Sequence, residues 1–117
     1  MFYNEEVIYM KFLQELYLGE KIAPKVDQIV KKIENDQEVS HLYLLVMASH
    51  PDKLLDLIPQ KDILQKGYPK EELRVIGLAG NKKEAVKLVQ SIFEESLAMT
   101  NSVDIRTYLE EKWEGQA

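Results

Sequence analysis

The chain carries few side chains of the types that do chemistry. It has no cysteine, and its only histidines are His41 and His50. The lack of cysteine excludes a thiolate nucleophile, an iron–sulfur cluster and a disulfide, and two histidines cannot complete a three-histidine metal centre. The acidic residues do not follow the Asp-x-Asp-x-Asp-Gly spacing of a calcium loop. We therefore predict no catalytic residue, no metal and no cofactor, and we favour a protein that is not an enzyme.

The best candidate for a binding site is the start of a helix predicted after Asn81. Unpaired N–H groups at a helix start point at a bound anion, and Lys82 and Lys83 would add positive charge there. The glycines before it fit neither the Walker A nor the dinucleotide-binding spacing. A plainer interpretation makes Asn81 an N-cap that shares an Asn-x-x-Glu capping box with Glu84. We favour the plainer interpretation, because nearly every helix start needs a cap.

Ser49 and His50 follow another apolar run and would complete this predicted anion-binding site. His50 beside Ser49 and Asp52 also suggests a catalytic triad. Neighbours on one turn rarely have triad geometry, however, and Ser49 is explained as a helix cap. The site therefore depends on whether the loop at Ser49 and the loop at Asn81 converge in space.

The net charge and the hydropathy of the chain bear on its surroundings. The net charge is −5, whereas a nucleic-acid interface generally needs a concentrated basic surface. The first residues lack a basic region followed by an apolar core, and the longest apolar run, 42–48, is far shorter than the roughly 20 residues of a membrane span. We expect a soluble cytoplasmic protein that binds neither nucleic acid nor membranes.

The N-terminal third predicts two helices. The first helix is predicted to begin at an N-cap, Asn4, and to end at Gly19. Its apolar residues recur at helical spacing. Its apolar residues cover more than one face, so we expect packing partners on two sides. Pro24 opens the second helix, at a position where its missing N–H costs nothing.

Two apolar runs in the middle of the chain, 41–48 and 73–79, predict strands that are buried on both faces. The segment between them contains a short helix that Pro59 terminates, and its length favours a right-handed parallel crossover. The long amphipathic helix after Asn81 would complete a βαβα unit. We predict a single α/β domain, 1–117, with two N-terminal helices and a short parallel sheet. An all-α bundle with both runs as central helices is the alternative, since periodicity does not exclude it.

The final segment fits two structures. Ile105, Leu109 and Trp113 have helical spacing, whereas Val103, Ile105, Thr107 and Leu109 alternate as in a strand. The charged residues 110–112 favour a helix.

Three segments resemble small conserved hypothetical proteins of Gram-positive bacteria. These are residues 16–24, 67–73 and 75–85, which begin Leu16-Tyr17-Leu18-Gly19, Gly67-Tyr68-Pro69 and Val75-Ile76-Gly77. The resemblance implies a bacterial cytoplasmic protein. Because that group has no established activity, the resemblance assigns no residue a role.

Two functions remain open at this point. A two-stranded sheet leaves open edges, and a surplus of apolar side chains needs a partner, so we predict a non-enzymatic interaction protein that self-associates. Val7, Ile8, Leu18 and Trp113 are the predicted interface residues. The alternative is a small-molecule or phosphate-binding protein with its site at the carboxyl ends of the two strands.

Overall fold

The computed structural model describes residues 10–48 and 53–116. It contains a four-stranded mixed sheet with the strand order β1-β4-β2-β3. β1 runs parallel to β4, whereas β2 is antiparallel to both β4 and β3. The strands are β1 (Lys11–Leu18), β2 (Tyr43–Met47), β3 (Leu55–Pro59) and β4 (Arg74–Ala79). The helices are α1 (Val26–Glu34), α2 (Gln60–Ile63), α3 (Lys82–Thr100) and α4 (Ile105–Gly115), with short 3-10 turns at Ala23–Lys25 and Lys70–Glu72.

Helices cover both faces of the sheet. α1 and α2 pack on one face through Ile29, Ile33 and Ile63, and α3 and α4 pack on the other through residues such as Ile92 and Ile105. The central strand β2 alternates between these two cores, which explains its uninterrupted apolar sequence. The α/β class is confirmed, and the all-α alternative is wrong.

The predicted first helix is wrong in its described part, because Lys11–Leu18 is a strand. Phe12 pairs with Val75 and Tyr17 pairs with Gly77, so β1 has a bulge between Phe12 and Tyr17. Both faces of β1 contact a core: Phe12 and Leu18 pack on one side of the sheet, whereas Leu13 and Tyr17 pack on the other. The apolar residues of β1 therefore have the spacing of a helix, although they alternate between the two faces of a strand. Asn4 and the other residues before Met10 lie outside the described part.

The parallel crossover between the two apolar runs is also wrong. Residues 55–59 form β3 instead of the predicted short helix, and β3 pairs with β2 in regular antiparallel register. Leu55 and Leu57 face the same core, as period-2 alternation requires. Pro59 ends this edge strand, where a missing N–H is tolerated. β2 and β3 therefore form an antiparallel pair, and the strand that pairs with β4 in parallel is β1.

The remaining helices agree with the sequence. α1 follows Pro24, and the side chain of Asn81 caps α3 by accepting a hydrogen bond from the Glu84 N–H at 2.8 Å. The final segment is a helix, α4, capped by Asp104, whose Oδ1 accepts from the Thr107 N–H at 3.1 Å.

Candidate functional site

A crevice opens where the parallel strands β1 and β4 end side by side. α1 follows β1 on one face of the sheet, and α3 follows β4 on the other. Ligands of open α/β sheets bind at such a change of direction. A cavity of about 460 Å³ lies here, and its lining includes Lys21 from the loop after β1 and Lys83, Lys87 and Ser91 from α3.

The carboxylate of Glu84 already occupies the floor of this crevice. The Gly80 N–H donates to Glu84 Oε1 at 2.7 Å, and the Lys21 N–H donates to Oε2 at 3.3 Å. A Cβ at Gly19 would overlap Glu84 Oε1, so the carboxylate position requires glycine there. The protein thus satisfies these N–H groups with its own anion, and an incoming phosphate would have to displace it.

The structure separates the residues of the predicted anion-binding site. Asn81 and Lys83 line the crevice, whereas Lys82 is exposed and does not line it. Ser49 and His50 lie outside the described residues. The premise that the two strands end at the same edge of the sheet is wrong, because β2 is antiparallel to β4 and its first residue, Tyr43, pairs with Ala79.

A polar cluster that the sequence analysis missed joins β1, α3 and α4. Glu95 Oε2 accepts hydrogen bonds from the Tyr17 hydroxyl, from the Tyr108 hydroxyl at 2.6 Å and from Lys112 Nζ at 3.2 Å. Lys112 Nζ also donates to the Tyr17 hydroxyl at 2.8 Å and lies 4.5 Å from the centroid of that ring. These residues are far apart in the sequence, so no local spacing could have identified the cluster.

The protonation of this cluster suits a structural role. Partial burial raises the pKa of Glu95, but hydrogen bonds from Tyr108, Tyr17 and Lys112 outweigh it and leave the pKa below its ordinary value. Burial, followed by the hydrogen bond to Glu95, raises the pKa of Tyr17 and of Tyr108. Both tyrosines therefore stay protonated at neutral pH and act as donors to Glu95, not as general bases.

The described members of the predicted interface are held by their own domain. Trp113 packs against the α3–α4 core, and the Arg74 guanidinium lies 5.7 Å from its ring centroid. Arg74 Nη1 in turn donates to Glu110 Oε1 at 2.6 Å. Leu18 is half-buried against the α1 core. Val7 and Ile8 lie outside the described residues.

A different apolar surface is exposed on α3. Val86, Phe93 and Leu97 are 43%, 41% and 48% exposed, and their spacing of seven and four residues places them on one flank of the helix. The buried residues of α3 are Ala85, Leu88, Ile92 and Ser96. The sequence predicted a long amphipathic helix here without separating buried from exposed apolar residues. The spread of these residues over two stripes was the signal available in the sequence.

The part of the chain that the structure describes also bears on metal binding and on membrane insertion. No group of three or more histidine or acidic side chains there could hold a metal ion. None of the helices described has the length and apolar character needed to cross a membrane.

Comparison with protein-family models, with curated proteins and with solved structures finds no match to this chain.

Proposed function

We propose that this chain is a non-enzymatic interaction protein that forms a two-fold dimer. Its interface would be the α3–β3 face, defined as Val86, Phe93 and Leu97 of α3 with Leu55 and Leu57 of β3. The observation that carries the proposal is an exposed apolar helix flank on the side of the sheet that ends in a regular edge strand.

The position of this flank follows from Glu95. Residues two apart on a helix point about 200° apart, so Phe93 and Leu97 lie on the side of α3 opposite Glu95. Glu95 contacts Tyr108 of α4 and Tyr17 of β1. Phe93 and Leu97 therefore face away from α4 and β1, toward the β3 side of the sheet.

The two edges of the sheet differ in their suitability for pairing. β1 is bulged, which is a common protection of an edge. β3 pairs with β2 in unbroken register over five positions, and its other edge has no partner among the described residues. Antiparallel pairing of β3 with its copy, centred on Leu57, would give a continuous sheet and bring the two α3 helices together.

Light scattering on the full chain at micromolar concentration tests the proposal. We expect about twice the chain mass of 13.6 kDa. Phe93→Glu should give a monomer, because it places a charge at the centre of an apolar interface. The matched control is Ala98→Glu, an exposed position of the same helix away from this flank, which should remain dimeric. A monomeric parent, or a Phe93→Glu variant that stays dimeric, would contradict the proposal.

The alternative function, binding of a small molecule or phosphate, has less support. The crevice between β1 and β4 has the right position, but Glu84 takes two of its N–H groups and would repel an anion. Thermal stabilisation by millimolar phosphate, without a change in mass, would favour this alternative.

We also propose that the protein works in the bacterial cytoplasm without a nucleic-acid partner. The net charge of −5 supports a protein without a nucleic-acid partner. A bacterial cytoplasmic location is the setting that the resemblance to small Gram-positive proteins implies.

A further inference from the structure

A second apolar surface lies on the other face of the sheet, between β1 and α1. This β1–α1 groove has a volume of about 750 Å³. Its apolar lining comes from Phe12, Leu16 and Leu18 of β1 and from Val26 and Val30 of α1, all of them half-buried. The groove is independent of the α3–β3 face, which lies on the opposite side of the sheet.

The local structure explains why the groove stays open. α1 packs on the sheet through Ile29 and Ile33, which are 3% and 1% exposed. Val26 and Val30 are one turn apart and lie on the flank of α1 next to this inward side. β1 is an edge strand, so no further strand among the described residues fills the space beside them.

The rim of the groove is acidic. Asp27, Lys31 and Glu34 follow one another along α1 at i, i+4, i+7 spacing, and Glu15 lies on the bulge of β1. All four are exposed. Within residues 10–48 and 53–116, the ion pairs leave Glu15, Asp27 and Glu34 without a basic partner. The groove thus combines an apolar floor with an excess of negative charge.

We infer that the β1–α1 groove binds a cationic amphipathic helix of another protein. A helix laid in a groove inserts apolar side chains at i, i+3, i+4 and i+7 spacing, and lysines or arginines beside them would pair with the acidic rim. Electrostatic complementarity of this kind selects partners and speeds association more than it adds affinity.

The same charges disfavour the other occupants. The chain's own residues 1–9 contain Glu5 and Glu6 and no lysine or arginine. A second copy of the chain would bring a second acidic rim against the first. Nucleic acids and anionic lipids are repelled for the same reason.

The test uses a fluorescent 18-residue peptide of leucine and lysine with its leucines on one helical face. Anisotropy is measured with the full chain at low salt. The parent should bind the peptide, and Asp27→Lys/Glu34→Lys should weaken binding on the order of tenfold. The matched control is Glu111→Lys/Glu114→Lys, which changes the net charge equally on α4, at exposed positions on the opposite face of the sheet. The control should bind as the parent does.

Two further measurements separate a groove from general charge attraction. A peptide with its leucines replaced by serine and its lysines kept should lose binding, because the apolar floor then has no occupant. Glu15→Lys alone should weaken binding several-fold, which tests the strand side of the rim. The inference is overturned if the parent does not bind, if the control loses as much affinity as the rim variant, or if the serine peptide binds equally well. Light scattering on the rim variant should still give the dimer mass, so failure here is distinct from failure of the proposed dimer.

Discussion

Glu95 is the carboxylate on which β1, α3 and α4 converge, so replacing it with alanine should loosen all three contacts. The hydroxyls of Tyr17 and Tyr108 would lose their acceptor, and Lys112 would lose its ion pair. A partly exposed hydrogen bond to a charged group contributes about 1 kcal/mol, and a surface ion pair contributes roughly 0.2–1 kcal/mol. We therefore expect Glu95→Ala to lower the free energy of unfolding by about 2–3 kcal/mol.

Urea denaturation followed by circular dichroism measures this loss, with all variants at one protein concentration. The control is Glu111→Ala, which removes an exposed carboxylate of α4 and should cost less than about 0.5 kcal/mol. In a thermal scan, the expected loss for Glu95→Ala corresponds to a fall in Tm of roughly 10 °C for a domain of this size. A loss no larger than that of Glu111→Ala would refute the view that the Glu95 cluster holds α4 in place.

Three other predictions concern stability. Burial raises the pKa of Glu95, but its hydrogen bonds outweigh burial and hold the pKa below its ordinary value. The hydrogen bond from Arg74 likewise lowers the pKa of Glu110. The stability that these two carboxylates contribute is therefore present above the ordinary carboxyl pKa and is lost as the pH falls through their pKa values in the folded protein. Urea titrations between about pH 6 and pH 3 should show a steeper loss for the parent than for Glu95→Gln/Glu110→Gln, and parallel curves would contradict this. Asn81→Ala should cost about 0.5–2 kcal/mol in chemical denaturation, because Asn81 caps α3, whereas Lys82→Ala should cost little. Ile76→Ala should cost about 2–5 kcal/mol, since Ile76 is fully buried between the sheet and α3, and a loss below 1 kcal/mol would show that this core is not tightly packed.

The sequence was sufficient where one local rule decided the structure. Asn81 with Glu84 indicated the start of α3, Pro24 indicated the start of α1, and the uninterrupted apolar runs indicated β2 and β4. In each case the residues that determine the element are within a few positions of one another.

The errors arose where long-range pairing overrides the local pattern. β1 is apolar on both faces, so Phe12, Leu13 and Leu16 have the spacing of a helix, although β4 holds this segment as a strand. Residues 55–59 are compatible with a helix until they pair with β2. Residues 60–73 then lead back to the end of the sheet where β3 began, so β4 is antiparallel to β2 and the predicted anion-binding site loses its geometric basis.

The candidate surfaces were less accessible to sequence reasoning than the fold. An exposed Phe93 and a buried Ile92 look alike in the sequence, and only the orientation of α3 on the sheet distinguishes them. The Glu95 cluster and the β1–α1 groove likewise bring together residues from separate elements.

The central claim is self-association through the α3–β3 face, and cysteine cross-linking tests it most directly. The chain contains no cysteine, so a single introduced thiol reports only on its own position. If β3 pairs with its copy about its midpoint, Leu57 faces Leu57 of the second copy, at a Cα separation of about 4.5–5.5 Å that a disulfide can bridge. Mild oxidation of Leu57→Cys should then give a covalent dimer of twice 13.6 kDa on a non-reducing gel, whereas Ala98→Cys should remain monomeric. No covalent dimer from Leu57→Cys, or equal amounts from both variants, would contradict the account.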